Sequence, residues 1–251
     1  MYASGLVERV FSGKEMDKLL AARYRSGIDS REQALYTATE AARFLGIYSG
    51  TLKTWLYGRH YWTAAGRKFW EPVIAPADPA LGLLSFFNLA EAHILAATRY
   101  RHKVPFPSVR RAIATVIENF PTAKAHPLLS HEFYTDGKDL FIKTIEETVD
   151  LSSEQLPLKQ IMDFYLERVI RDKDDTPFKV YPIVPGVEDK VVSIISGVSS
   201  SRPVIDGTGV PVATIWGRFK GGEEPEALAD DFDIPVAKIK RAIDYVEWRA
   251  A

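Results

Sequence analysis

The sequence predicts a mainly α-helical chain: a winged helix-turn-helix in front, a small β-hairpin in the middle and a three-helix, helix-turn-helix-like domain at the end. Three observations predict it. The stretches 38–56 and 226–242 both place a small residue, a turn and a set of apolar wedge residues at helix-turn-helix spacing. Two aromatic runs, Tyr61-Trp62-Thr63 and Arg67-Lys68-Phe69-Trp70, flank Ala64-Ala65-Gly66, the pattern of a hairpin or wing. Prolines at 72, 76, 79, 105, 107 and 121 cut the remaining helical periodicity into short pieces.

The elements follow in order. Residues 1–35 form a helical arm with Val10, Phe11, Leu19 and Leu20 among charges. Residues 36–121 form the first domain. Thr37 caps a helix with Glu40 nearby, Gly46 breaks that helix, and Ser49 caps a second one that Gly58 ends. After the wing and a proline linker, Asn88 and Glu91 suggest a capping box for a third helix. Ser108–Asn119 is a fourth helix, with Val109, Ile113, Val116 and Ile117 on one side. Residues 122–182 connect: Phe133-Tyr134, Asp136-Gly137 and Leu140-Phe141-Ile142 read as a hairpin with a DG turn, and Leu158–Ile170 as a helix. Residues 183–251 form the last domain. It has a strand at Val191–Ile195, a flexible Ser199-Ser200-Ser201, and helices beginning near Pro211, Pro225 and Val236.

In the first motif Ala42 lets two helices approach and Gly46 supplies a left-handed turn. Leu45, Ile47, Leu52 and Trp55 fill the wedge. The second helix then presents Ser49, Thr51, Lys53, Thr54 and Tyr57, side chains able to reach bases or phosphates from a major groove. From Ser49 to Trp70 there are four basic residues, Lys53, Arg59, Arg67 and Lys68, and no acid. These eight residues are the candidate contacts to duplex DNA, and Arg67 and Lys68 on the wing suit phosphates. Arg99, Arg101, Lys103, Arg110 and Arg111 form a second basic cluster that either extends this footprint or marks solvated helix ends.

Charge divides the chain. The balance is +6 over residues 1–120, −4 over 121–182 and −3 over 183–251. Within the last domain, Ala229 takes the small position, and Leu228, Phe232, Ile234 and Ile239 the wedge, while Asp233 replaces the turn glycine. An acidic helix-turn-helix repels phosphate and suits a protein partner, although Lys238, Lys240 and Arg241 leave a DNA role open. Asp230, Asp231, Lys238, Tyr245 and Trp248 are the candidate partner contacts, the two aromatics as anchors.

Three resemblances sharpen this. Ala38–Leu56 resembles the helix-turn-helix of MerR-type regulators. Gly207-Thr208-Gly209-Val210-Pro211-Val212 is similar to the G-T-R-I-P-V signature of domain-of-unknown-function family 433, with Gly209 where the signature has Arg. The order of parts from Tyr36 onward, including Thr135–Phe141 (T-D-G-K-D-L-F), resembles one subclass of VapB-type antitoxins. That resemblance implies a PIN-like ribonuclease toxin as partner and repression of the shared operon. A stand-alone MerR-like regulator with a ligand-sensing rear half is the alternative, and a protein-interaction scaffold the third. A homodimer is expected, because one short recognition helix reads few base pairs.

Other classes lack their signatures. There is no cysteine and hence no disulfide or cysteine zinc site, and the five histidines have no ligand spacing. Gly207-Thr208-Gly209 is not a phosphate loop, and no nucleophile elbow occurs. The expectation is a non-enzyme without metal or cofactor. Lacking an apolar run of membrane length and carrying charges throughout residues 8–18, the chain is expected in the cytoplasm, with no membrane partner.

Overall fold

Helix α1 (Ala38–Leu45) starts because Thr37 and Glu40 close a reciprocal capping box: the Thr37 hydroxyl accepts from the Glu40 N–H at 3.2 Å, and the Glu40 carboxylate accepts from the Thr37 N–H at 3.0 Å. This computed structural model describes residues 29–64, 66–100, 103–121, 125–149, 157–183 and 189–250, so the arm expected over 1–35 lies outside the described residues as far as residue 28. Thr37 also belongs to β1 (Tyr36–Thr37), which pairs antiparallel with β4 (Leu83–Leu84). Gly46 ends α1 at φ 66°, and its N–H and that of Ile47 return to the Ala42 carbonyl. Helix α2 (Ser49–Tyr57) follows; its cap is Tyr48, and Ser49 is the first helical residue, not the cap. Strands β2 (Arg59–Thr63) and β3 (Gly66–Trp70) then form the expected hairpin, with Thr63 opposite Gly66.

Two later expectations need correction. Helix α3 (Phe86–Tyr100) starts earlier than Asn88. Its box joins Ser85 and Asn88, whose side chains accept from each other's N–H groups at 3.2 and 3.1 Å. Glu91 is buried instead, 3.0 Å from His126 Nδ1. The second correction is larger. No hairpin forms over residues 133–142. Phe133–Gly137 is a π-helical turn running into α5 (Lys138–Glu146). A DG hairpin turn needs a positive φ, whereas Gly137 sits at −64°. Phe133, Gly137, Phe141 and Ile145 recur every fourth residue, a helical spacing that buries the three apolar side chains on one face. That face packs against α4 (Phe106–Asn119), and Gly137 lets Phe120 approach.

The hairpin of the middle region lies further on. After α6 (Leu158–Leu166), β5 (Val169–Arg171) turns through 172–176 into β6 (Pro177–Val180). β7 (Val192–Ile195) and β8 (Pro203–Ile205) complete a four-stranded antiparallel sheet in the order β5-β6-β7-β8. The division expected at Pro121 is not a division of cores: one apolar cluster runs from Tyr36 through α3–α6 to Ile194. The division at 183 is also bridged, because that sheet spans it. A second core holds Ile205, Ile215, Leu228, Ile239 and Ile243 beneath α7 (Val212–Lys220), α8 (Pro225–Phe232) and α9 (Val236–Ala250). Asp233 occupies the left-handed turn between α8 and α9 at φ 52°, the place Gly46 has in front.

Ser199–Ser201 is an ordered turn, contrary to the flexible run expected. All three serines hold left-handed φ angles, 47°, 54° and 56°, at a cost of about 1–2 kcal/mol each. The Gly197 N–H donates to Ser201 Oγ and the Ser199 hydroxyl to the Gly209 carbonyl, and Ser201 is buried.

Inside α3, His93 is buried beside α6, and its Nε2–H donates to the Tyr165 carbonyl at 3.1 Å, because a carbonyl can only accept. Burial pushes its pKa down to about 3 from 6.5. The unfolded chain therefore takes up a proton below pH 6.5 that the folded chain refuses until about pH 3, and stability falls as pH drops through that window. His93→Gln keeps an N–H donor and does not titrate. Urea unfolding between pH 7 and 4.5 should show a shallower acid loss for the variant, the gap changing by up to about 1.4 kcal/mol per pH unit. Parallel pH profiles would refute the assignment.

Candidate nucleic-acid interface

The α1–turn–α2 unit is held from within. Ala41, Ala42, Leu52, Trp55 and Leu56 are buried, and the N–H groups of Val73 and Ile74 close on the Trp55 carbonyl at 2.8 and 3.1 Å. That anchoring turns one face of α2 outward. Lys53 is exposed there and Ser49 partly so. Thr51 and Thr54 turn aside: both line a cleft of about 470 Å³ against Arg99, Val104 and Phe106, and the Thr54 hydroxyl donates to the Gly50 carbonyl at 2.9 Å. Tyr57 keeps an exposed ring edge, while its hydroxyl donates to the Gly82 carbonyl at 3.0 Å.

The hairpin is two-faced. Tyr61 stacks on Trp70 at 4.4 Å, and Trp70 on Phe106 at 5.7 Å, which fixes the hairpin on α4. The other face carries His60, Trp62, Arg67 and Phe69, with Trp62 paired to Arg67 across the strands. Arg59, Arg67 and Lys68 are all exposed. Lys53 and these three cations thus lie on adjoining elements, and no ion pair engages any of them among the described residues. Two aromatics beside them were not singled out in the sequence: Tyr48, 79% exposed at the α2 cap, and Trp62, 80% exposed on the hairpin. Strand alternation required one face of Tyr61-Trp62 to point outward, but only the contact with Phe106 decides which.

The second basic cluster is partly structural. Arg99 Nη1 donates to the Lys103 and Val104 carbonyls, both at 3.1 Å, closing the α3–α4 turn. Arg111 is exposed, and Arg101 lies outside the described residues. No group of three or more His, Cys, Asp or Glu side chains able to hold a metal occurs among the described residues. No helix among them is long and apolar enough to cross a membrane.

The candidate partner residues separate into two sets. Tyr245 serves the chain's own fold, whereas Trp248 touches the front module and stays 37% exposed. Tyr245 is only 3% exposed and donates its hydroxyl to the Phe44 carbonyl at 2.8 Å, while the Trp248 ring rests on Gly46. Their α9 spacing could not reveal this, because the receiving surface lies about 200 residues earlier. Asp230 and Asp231 remain exposed on α8. Asp231 pairs with Arg218 at 2.6 Å, and Arg218 also holds Glu223, which depresses the Glu223 carboxyl. Lys238 reaches the Asp206 carbonyl at 3.3 Å. At the junction, burial raises the Glu40 carboxyl, but hydrogen bonds from Thr37 and Arg202 outweigh it and hold the pKa below the usual range.

Fold and site therefore define a helical protein with a cationic helix-turn-helix in front and an acidic helical module seated behind it. Family comparisons agree: residues 34–113 match the family described as "Putative DNA-binding HTH domain", and residues 192–246 match "Protein of unknown function (DUF433)". The chain is 28% identical to a Mycobacterium tuberculosis protein named "Putative antitoxin VapB45", over 84% of this chain and 93% of that one. It is 26% identical to "Uncharacterized protein Rv2308" of the same organism, over 86% and 91% of the two chains. The crystal structure of Rv2018 from M. tuberculosis superposes with a TM-score of 0.62 at 26% identity, covering 84% of this chain and 98% of that one. The chain thus carries a helix-turn-helix module in front and a DUF433 module behind, and is similar over most of its length to a protein named a putative VapB antitoxin.

A Cβ at residue 46 would run into the Trp248 ring, and residue 46 holds a positive φ. Gly46→Ala should therefore cost more than its backbone strain of about 1–2 kcal/mol. Adding Trp248→Ala should recover part of the loss. Purely additive urea-unfolding energies would show that the two residues do not meet.

Proposed function

We propose that this chain is the antitoxin of a type II toxin–antitoxin pair, a non-enzyme that needs no cofactor. It binds duplex DNA to repress its own operon and neutralises a PIN-like ribonuclease. In this reading α1–α2 with the β2–β3 hairpin is a winged helix-turn-helix, and α7–α9 is the three-helix module. The observation that carries the DNA half is Lys53 on the outward face of α2, adjoining Arg59, Arg67 and Lys68 on the hairpin, all exposed. A recognition helix in the major groove with the wing on the flanking backbone would use all four, and Ser49 at the helix start suits a phosphate or base edge. A homodimer would read two half-sites about one helical turn apart.

The toxin half is supported by the VapB-like organisation and by the acidic exposed face of α8. Asp230 lies there outside any ion pair among the described residues, with Asp231 and Lys238 close by in the same module. An enzyme that cuts RNA needs a cationic cleft, and complementary charge speeds encounter. Cytoplasmic residence follows from both partners. Deleting the module is a poor test, because β7 and β8 complete the sheet; surface substitutions are cleaner.

Fluorescence anisotropy on DNA upstream of the chain's own gene should show specific, salt-sensitive binding. Lys53→Ala and Arg67→Ala should each weaken it about five- to tenfold and lower the salt slope by about one. Binding indifferent to salt and to both substitutions would overturn the DNA reading. In co-expression with an adjacent PIN-like gene, the chain should co-purify with the nuclease and silence it, and Asp230→Lys should slow association. A nuclease left active and unbound would overturn the toxin reading alone.

A further inference from the structure

Between α1 and the rear module lies a cleft of about 370 Å³ that holds none of the side chains proposed above to meet DNA or toxin. Its walls are apolar: Phe44 on one side, Pro203 and Val212 below, Trp216 and Val246 on the other. Beside Phe44 its lining is cationic. Arg43 and Arg202 line it, their guanidinium carbons 5.7 and 6.0 Å from the Phe44 ring centre. Arg202 shares its charge with Glu40 at 2.9 Å, whereas Arg43 is exposed and in no ion pair among the described residues. Pro211, Val212 and Ala213, at the start of α7, also line the cleft, and α7 has no side-chain cap. Its first-turn N–H groups add positive potential there. Below Arg202 sits the left-handed Ser199–Ser201 turn, which also lines the cleft through Ser199. Tyr36 donates to the Ser201 carbonyl at 2.7 Å and ties this strained turn to the front module. Such backbone persists where surrounding structure over-determines it, often at ligand sites.

An apolar pocket of this size with a few polar groups converging at one end is the usual form of a small-molecule site. We propose that this cleft binds an apolar monocarboxylate, an alkanoate or arylalkanoate. The tail lies against Trp216 and Phe44, and the carboxylate meets Arg43, Arg202 and the start of α7. Because the walls come from both modules, an occupant stabilises their docked arrangement.

The test uses the full chain with decanoate, decanol and decyltrimethylammonium as probes. Decanoate should quench tryptophan fluorescence saturably and raise the melting temperature, and Trp216→Phe should remove most of the quenching. Decanol and the cation should bind at least about tenfold more weakly, the factor a charge-assisted hydrogen bond supplies. Arg43→Gln should weaken decanoate to a similar degree without disturbing the fold, since Arg43 is exposed. Ala213→Phe, at another exposed position, should block the cleft. Absence of saturable binding, equal binding of decanol, or undiminished binding after Ala213→Phe would each overturn the proposal. So would a cleft that responds only to a co-purified protein, which would make it a protein groove. Lys53→Ala should weaken DNA binding and leave decanoate binding unchanged, so failure of this site and failure of the DNA reading are distinguishable.

Discussion

The buried hydrogen bond from Tyr245 to the Phe44 carbonyl joins α9 to α1, and the rest of the arrangement leans on it. Removing either partner alone would leave the other buried and unpaired at a cost of about 1–3 kcal/mol, whereas separating the modules exchanges the bond for water and costs about 0.5–1.5 kcal/mol. Around this bond sit Trp248 on Gly46, Arg202 on Glu40 and Tyr36 on the Ser201 carbonyl. Each joins residues more than 150 positions apart, and together they seat the rear module on α1 and its turn.

This docking explains how charge is distributed. Seated on α1, the acidic module leaves exposed Lys53 on α2 and the hairpin cations. Much of its own acid is neutralised internally, Asp231 and Glu223 by Arg218 and Glu226 by Lys240. Exposed pairs of this kind contribute little stability. They do shape the surface, leaving Asp230 among the acids that face solvent without an ion pair to a described residue.

The four-stranded sheet gives a second constraint. β5 and β6 belong to the chain's larger core, whereas β7 contributes to both cores: Ile194 faces the first and Val192 the second. The two cores are therefore not independent folding units divided at a loop. Tyr36 and Arg202 tie the serine turn and the start of β8 directly to the front module.

Much of the front motif was legible from residues alone, because its determinants are local. A capping threonine with Glu40 three residues on, a glycine for the left-handed turn and wedge residues at helical spacing specify α1 and α2 within twenty residues. The alternation of aromatics around Ala64-Ala65-Gly66 likewise specified the hairpin, and the local charge balance marked Lys53, Arg59, Arg67 and Lys68. Tertiary structure decided what local signals could not. Asp136-Gly137 has the composition of a turn, yet the burial of Phe133, Phe141 and Ile145 against α4 made it helical, since packing outweighs a propensity of about 1 kcal/mol. Tyr245 and Trp248 carry the composition of interface anchors, but only the fold shows that the surface they cover is α1 of the same chain. A sequence states which side chains are apolar and at what spacing. Which buried surface receives them depends on contacts between segments as much as 201 residues apart, and these exist only once the chain has folded.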